Sequence, residues 1–304
     1  MEKITFKPVG LPCGNNGSSK LYTTNLFTGK CPHNCVYCYA TDFRGYSSSK
    51  IRPVNLNAIR NVTKWPKRLF LSSSTDPFHP VVIELAEELL ERALDAGTFI
   101  VISTKALATK RICDCLARYS KQVSYTVSLS SLNKERNRLL EPNVPSATRR
   151  LYGNKDKSQI SRIGIKQLVE NGVNVTLKAD CLFPDIDDPE KAISNLLTSA
   201  RECGVEAVNF SYAFYRAKIK GRILAIPFLE KALSKMNEIQ DIASGRGYSL
   251  PIKEKEKRLA RMGKLAKNIG FKFISTCKCK NQIKTFPSMM KNECNFHDKW
   301  FLKF

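Results

Sequence analysis

Three cysteines within eight residues, Cys31, Cys35 and Cys38 in the stretch TGKCPHNCVYCYAT, form the most reactive grouping in this chain. Cys-x3-Cys-x2-Cys is neither a common zinc spacing nor a dithiol redox motif, because structural zinc takes four protein ligands, usually as two separated pairs. Three thiolates on one tight loop suit three corners of a [4Fe-4S] cube and leave the fourth iron open. An open iron can take a small chelating molecule, and S-adenosylmethionine (SAM) offers an amine and a carboxylate. Electron transfer from the reduced cluster into its sulfonium would release a 5′-deoxyadenosyl radical, which the protein has only to position and shield. Pro32, His33 and Asn34 in the same loop argue against three merely buried thiols.

Elements able to position such a loop alternate along the chain. Strand candidates rich in β-branched and aromatic residues are 21–27, 68–73, 98–103, 122–130, 174–180 and 206–214. Helix candidates lie between them at 80–97, 108–120, 161–172 and 188–204, the first opening on Pro80 and stopping at Gly97. One further helix is expected over 227–245. Six strands alternating with helices predict an α/β fold with a parallel sheet and right-handed crossovers, as an open barrel or a doubly wound sheet. In either arrangement chemistry collects at the carboxyl ends of the strands, and the cysteines follow the first strand directly.

The loop resembles that of the radical SAM superfamily, Cys-x3-Cys-x-aromatic-Cys after the first barrel strand, with Tyr37 at the aromatic position that lies against the adenine in that family. Within the superfamily the ordered stretches SSSTDPFHP (72–80), STK (103–105), SLSS (128–131), EPNVPSATRRL (141–151) and GVNVTLKADCLFPDIDD (172–188) resemble the spore photoproduct lyase-like group. The resemblance implies a partial (β/α)6 barrel, a [4Fe-4S] cluster, SAM and a reducing partner of flavodoxin or ferredoxin type. By the same resemblance Thr75, Lys105 and Ser128 match cofactor-contacting positions. Their chemistry agrees: a lysine ammonium can pair with the SAM carboxylate, and the hydroxyls of Thr75, Ser128 and Ser130 can bond its polar atoms. Asp76 is expected to accept from the SAM ammonium, and Arg149, or its neighbour Arg150, to pair with a carboxylate. The DNA-repair lyase of the group donates a hydrogen atom from a cysteine on its second-strand segment. Here that stretch reads Ser72-Ser73-Ser74, and a serine O–H bond is too strong for the role, so repair of spore photoproduct is not expected. Cys181, at the end of the fifth strand, is a candidate replacement donor, although such a cysteine is more often a small buried apolar residue.

The chain of 304 residues carries 50 basic and 27 acidic residues, a net charge of +23, with 42% hydrophobic residues, enough for a sizeable core. From Phe214 onward, 21 basic residues stand against 7 acidic ones, so residues 1–226 read as the barrel core and 227–304 as a basic, cysteine-containing extension. Such a balance favours polyanionic partners, and nucleic acid is the expected substrate, with Lys253, Lys255, Lys257 and Arg258 as a phosphate-contacting set. A peptide or protein substrate, and a non-catalytic metal-stabilised nucleic-acid binder, are the competing readings. In the extension Cys277, Cys279 and Cys294, with His297 or Cys13 as a fourth ligand, could hold a second iron–sulfur cluster or zinc. No apolar run approaches a bilayer span and the N-terminus lacks a signal-peptide core, so a cytoplasmic protein with no membrane partner is expected.

Overall fold

Runs of Val, Ile, Leu and Phe that stay apolar on both faces pair as parallel strands, because only a sheet covered on both sides can bury them. In the computed structural model, which describes residues 3–8, 21–42, 46, 48–154, 162–241 and 245–276, β1 (Lys7–Pro8) is followed by six such strands. They are β2 (Leu21–Thr24), β3 (Arg68–Leu71), β4 (Phe99–Thr104), β5 (Val123–Ser128), β6 (Val175–Leu182) and β7 (Ala207–Tyr212). These six are parallel and lie side by side in chain order, the winding of a partial barrel, and β1 runs antiparallel against β2 at one edge. The fold is α/β, as expected, and all six expected strands form.

Crossover helices cover the sheet. α1 (Ile83–Asp95) turns Ala86, Leu89, Leu90, Ala93 and Leu94 inward. α2 (Lys110–Arg118) starts where the Thr109 hydroxyl accepts from the Ile112 amide. Two short helices absent from the sequence reading, α3 (Lys134–Leu140) and α4 (Ala147–Tyr152), stand between β5 and α5 (Ile165–Glu170). α6 (Glu190–Glu202) contributes Ile193, Leu196, Leu197 and Ala200 to the core.

The expected boundary at residue 226 does not bound the sheet. Beyond it, α7 (Ile252–Ile269) packs on α6 through a face containing Leu259, Met262 and Ala266, and β8 (Phe273–Thr276) pairs in parallel with β7. Burying each large apolar side chain contributes roughly 1.5–3 kcal/mol, so residues 252–276 belong to the barrel core. The helix expected over 227–245 is also corrected. Only Pro227–Leu229 and Glu230–Leu233 are helical, and Asn237–Asp241 instead pairs antiparallel with Gly245–Ser249, which in turn pairs with Tyr215–Arg216. Gly247 permits this hairpin, since a Cβ there would stand 2.5 Å from the Phe214 ring. This small sheet and its flanking turns supply Tyr215, Ile219, Ile223 and Leu229 to a second apolar cluster, which includes Cys35, Tyr37 and Phe183. Residues 213–236, with Tyr248, thus pack directly on the cysteine loop.

Candidate active site

The cysteine loop leaves the carboxyl end of β2 and is shaped by its own backbone. Gly29 (φ +96°) opens it, and a Cβ there would fall 2.3 Å from the Lys50 carbonyl, so only glycine lets the two strands of chain approach. The Asn34 amide bonds the Cys31 carbonyl at 3.1 Å and the Cys38 amide bonds the Cys35 carbonyl at 3.2 Å. Each turn therefore begins at a cysteine, and the three free thiols are set apart.

Three other parts of the chain grip the loop. From the segment around α3, the Leu140 carbonyl accepts from the Val36 amide at 2.9 Å and the Glu141 carboxylate accepts from the Tyr37 hydroxyl. Glu141 is held by Arg150 at 2.9 Å, and Arg150 also donates to the Ser128 carbonyl at 2.6 Å; both side chains of the pair are 1% exposed. From the other side, His33 has Nδ1 3.2 Å from the Asn143 carbonyl and Nε2 3.2 Å from Asp76 Oδ2. Arg222, just before the small sheet's hairpin, donates to the Cys35 carbonyl and to the Thr41 hydroxyl, both at 3.2 Å.

Electrostatics follow from this packing. Burial, reinforced by Asp76, pushes the Cys31 thiol up to about 11, and burial raises Cys35 as well. As free thiols both are protonated at neutral pH, so ligation must release protons. Burial would raise Glu141, but the positive charges of Arg150, Lys105 and Arg136 outweigh it and hold the carboxyl below its usual range. Lys105, at the carboxyl end of β4, lies 5.7 Å from the centre of the Tyr37 ring. Burial works against its charge, yet the carboxylates of Glu141 and Asp180 hold its pKa above the ordinary lysine value. Its ammonium has no ion-pair partner among the described residues.

The structure sorts the sequence candidates. Tyr37 meets Lys105 and is linked through Glu141 and Arg150 to the Ser128 carbonyl at the end of β5. Two residues on, the buried Ser130 hydroxyl has no hydrogen-bond partner among the described residues. Thr75, in the loop after β3, is buried and donates its hydroxyl to Asn25 Oδ1 at 3.3 Å. Asp76 does not fit the expected ammonium contact. Its oxygens already accept from the Thr104 hydroxyl (2.6 Å) and the Phe78 and Lys105 amides (3.0 and 2.7 Å), and Oδ2 lies 3.2 Å from His33 Nε2, so most of its acceptor capacity is committed within the protein. Arg149 is likewise corrected: it is exposed and donates to Asn154 at 2.7 Å, while Arg150 is committed to Glu141. Helix periodicity decides this, since adjacent residues on α4 are turned about 100° from each other and here leave Arg149 exposed and Arg150 buried. Cys181 is half-buried beside the Tyr37 cluster, with burial and Asp180 raising its thiol pKa. Cys13, Cys277, Cys279, Cys294 and His297 lie outside the described residues.

Sequence reasoning missed the Lys178–Asp180 ion pair (3.0 Å) on β6, the bidentate Arg136–Asp187 pair and Arg222. Lys178 and Asp180 carried a signal, since charged residues at alternate positions of an apolar strand point to its functional face. Arg136 and Arg222 carried none.

Among the described residues no three His, Cys, Asp or Glu side chains converge as a single metal ion requires. A cube holds each thiolate on a different iron, so its ligands need no such convergence. Three free thiols on one loop, a half-buried lysine ammonium without an ion-pair partner among the described residues and a buried serine hydroxyl without a hydrogen-bond partner among them fit a [4Fe-4S] cluster with SAM beside it.

Loop and barrel together define an enzyme that generates a radical from SAM. Residues 25–196 match the Radical SAM superfamily profile, and the chain belongs to that superfamily. It is 27% identical over 229 residues to the uncharacterized protein ORF301 of Acidianus two-tailed virus, covering 67% of this chain and 72% of that protein. Its fold is similar to that of a mutant spore photoproduct lyase, with TM-score 0.66, 15% identity and coverage of 90% of this chain and 79% of the other. A second mutant lyase, with bound AdoMet and dinucleoside spore photoproduct, has TM-score 0.65 at 14% identity, covering 89% and 78%. The radical SAM methyltransferase TsrM of Kitasatospora setae, solved with cobalamin and a [4Fe-4S] cluster, has TM-score 0.51 at 10% identity, covering 81% and 52%. Among the described residues no helix is long and apolar enough to cross a membrane.

Proposed function

We propose that this radical SAM enzyme acts on nucleic acid. The observation that carries the reading is the charge: +23 overall, with its excess concentrated in the last third of the chain. The lyase whose fold it shares has been solved with a dinucleoside photoproduct, which supports a nucleotide-sized opening at the same end of the barrel. Serines at 72–74 and the carboxylate–lysine pair on β6 set this chain's mouth apart from a thiol-based repair site.

When bound, the cluster and SAM supply a 5′-deoxyadenosyl radical by one-electron cleavage of the sulfonium. Cys31, Cys35 and Cys38 would hold the cluster. Lys105 would pair with the SAM carboxylate, Ser128 and Ser130 would bond its polar atoms, and the Tyr37 ring would lie against its adenine. Glu141 and Arg150 fix Tyr37, and the apolar cover of Phe183, Tyr215 and Ile219 keeps water from the loop. Lys178 and Asp180, facing the mouth from β6, would orient the substrate. A flavodoxin- or ferredoxin-like protein would provide the electron.

Replacing any one of Cys31, Cys35 or Cys38 by alanine should abolish 5′-deoxyadenosine formation after anaerobic reconstitution, and product from a single variant would overturn the cluster assignment. For the substrate, reconstituted enzyme is incubated with DNA, RNA and a peptide pool, and the digests are compared by mass spectrometry. A mass change confined to peptides would replace the nucleic-acid reading with a peptide-modifying one.

A further inference from the structure

We infer that the outer face of α7 is a track for a nucleic-acid backbone. This rests on the nucleic-acid reading above and adds where the strand runs. The sequence suggested Lys253, Lys255, Lys257 and Arg258 as one contact set, but the helix separates them. Lys255 is buried on the core side, and Arg258 is held by Asp188 (2.7 Å), Asp185 (2.8 Å) and Glu254 (2.6 Å). Lys253 and Lys257 instead fall in line with Arg261, Lys264 and Lys267, all exposed. At 100° per residue these five positions lie within an arc of about 120° and span about 21 Å along the axis.

Two features separate this ridge from an ordinary solvated helix face. On other outer helices many surface cations are matched, Arg60 and Arg92 with Glu88, Arg111 with Glu91 and Lys110 with Asp114, while Lys191 on α6 stands exposed without an ion-pair partner among the described residues. On the ridge the four lysines have no ion-pair partner among the described residues, while Arg261 donates to the Asp188 carbonyl at 2.8 Å and lies 3.8 Å from its carboxylate. The spacing also fits. One strand of a duplex presents a phosphate about every 3.4 Å, so the ridge spans about six phosphates, with one cation for every one or two.

Position ties the ridge to chemistry. α7 begins beside the loop after β6, and Lys257 and Arg261 line a cleft of about 420 Å³ with Asp185, Asp188 and Pro189. That loop follows directly from Lys178, Asp180 and Cys181 at the barrel mouth. A strand lying along the helix would therefore be led toward the reacting end of the sheet. Charge complementarity and the absence of apolar anchors apart from Ala260 favour a polyanion over an apolar ligand, and the regular spacing of the cations suits the regular spacing of a phosphate backbone.

The test replaces Lys253, Lys257, Lys264 and Lys267 by glutamine, which keeps helix propensity, and by arginine as a charge-preserving control. Binding of a labelled mixed-sequence single-stranded oligonucleotide to the reconstituted full chain is measured by anisotropy against salt. The wild type and the arginine variant should show a steep log–log slope, and the glutamine variant a slope flatter by about 3, at about 0.7 per lost phosphate contact. SAM cleavage without substrate should be equal in all three. Equal slopes in the wild type and glutamine variant would overturn the track and leave the nucleic-acid substrate standing. No oligonucleotide binding by wild type at low salt, or binding only to phosphatidylserine vesicles, would overturn both.

Discussion

At the scale of single residues the site depends on Glu141, which joins the Tyr37 hydroxyl to the Arg150 guanidinium in a place without water access. Removing one member of a buried ion pair strands the other charge and costs about 3–5 kcal/mol. Glu141→Gln should therefore lower the urea midpoint substantially and loosen the loop, read as reduced iron content after reconstitution. The carboxyl's folded pKa lies below its unfolded value, so its contribution is complete above the unfolded value. It is lost as pH falls below the ordinary carboxylate range of about 4 toward the folded pKa. Asp76, lowered by His33 and by the Thr104 and Lys105 hydrogen bonds against the opposing effect of burial, adds to the same acid sensitivity. Stability of the wild type should thus drop with pH through this range more steeply than that of Glu141→Gln. Lys105→Ala gives a separable result: SAM affinity by calorimetry should fall while iron per chain stays at the wild-type level. Unchanged affinity would remove Lys105 from the cofactor site.

Elements set the positions of these residues. α4 ends at Gly153 (φ +74°), where a Cβ would stand 2.6 Å from the Arg162 carbonyl, so Gly153→Ala both strains the backbone and displaces the strand segment at 162. Gly270 (φ +96°) ends α7 with open space around it, and Gly270→Ala should cost only the left-handed conformation, about 1–2 kcal/mol. Denaturant midpoints should rank Gly153→Ala well below Gly270→Ala, and the former should also lose cluster, because α4 carries Arg150. The long amphipathic helices were legible from their apolar spacing and their Pro and Gly ends. α3 and α4 were not, since each is under two full turns and is held by tertiary contacts such as the Arg136–Asp187 pair. The expected helix at 227–245 failed for the related reason that strand pairing with Gly245–Ser249 outweighed local helix propensity.

At the scale of the whole molecule, the sheet continues to residue 276, which makes α7 and β8 part of one cooperative unit. A chain cut after residue 251 would expose the β7 edge together with the partners of Leu259, Met262, Ala266 and Phe271. It should remain insoluble or molten by near-ultraviolet circular dichroism, whereas a soluble, reconstitutable fragment would restore the boundary near 226.

The chemistry was legible in the chain: three thiols at a spacing for a cube, an aromatic between them, and Lys105 at a strand end are local patterns that need no third dimension. So was the parallel α/β order, because apolar runs and helical stripes are written in the chain. Packing was needed to tell which of two adjacent arginines turns to the site, Arg150 inward and Arg149 to solvent. It alone showed Asp76 committed to four neighbours. It also divided the lysine run of α7 into a buried residue, a salt-bridged arginine and an exposed ridge. These outcomes depend on side chains distant in sequence, such as Glu141 with Arg150 and Asp188 with Arg258, whose pairing is set by how the layers pack.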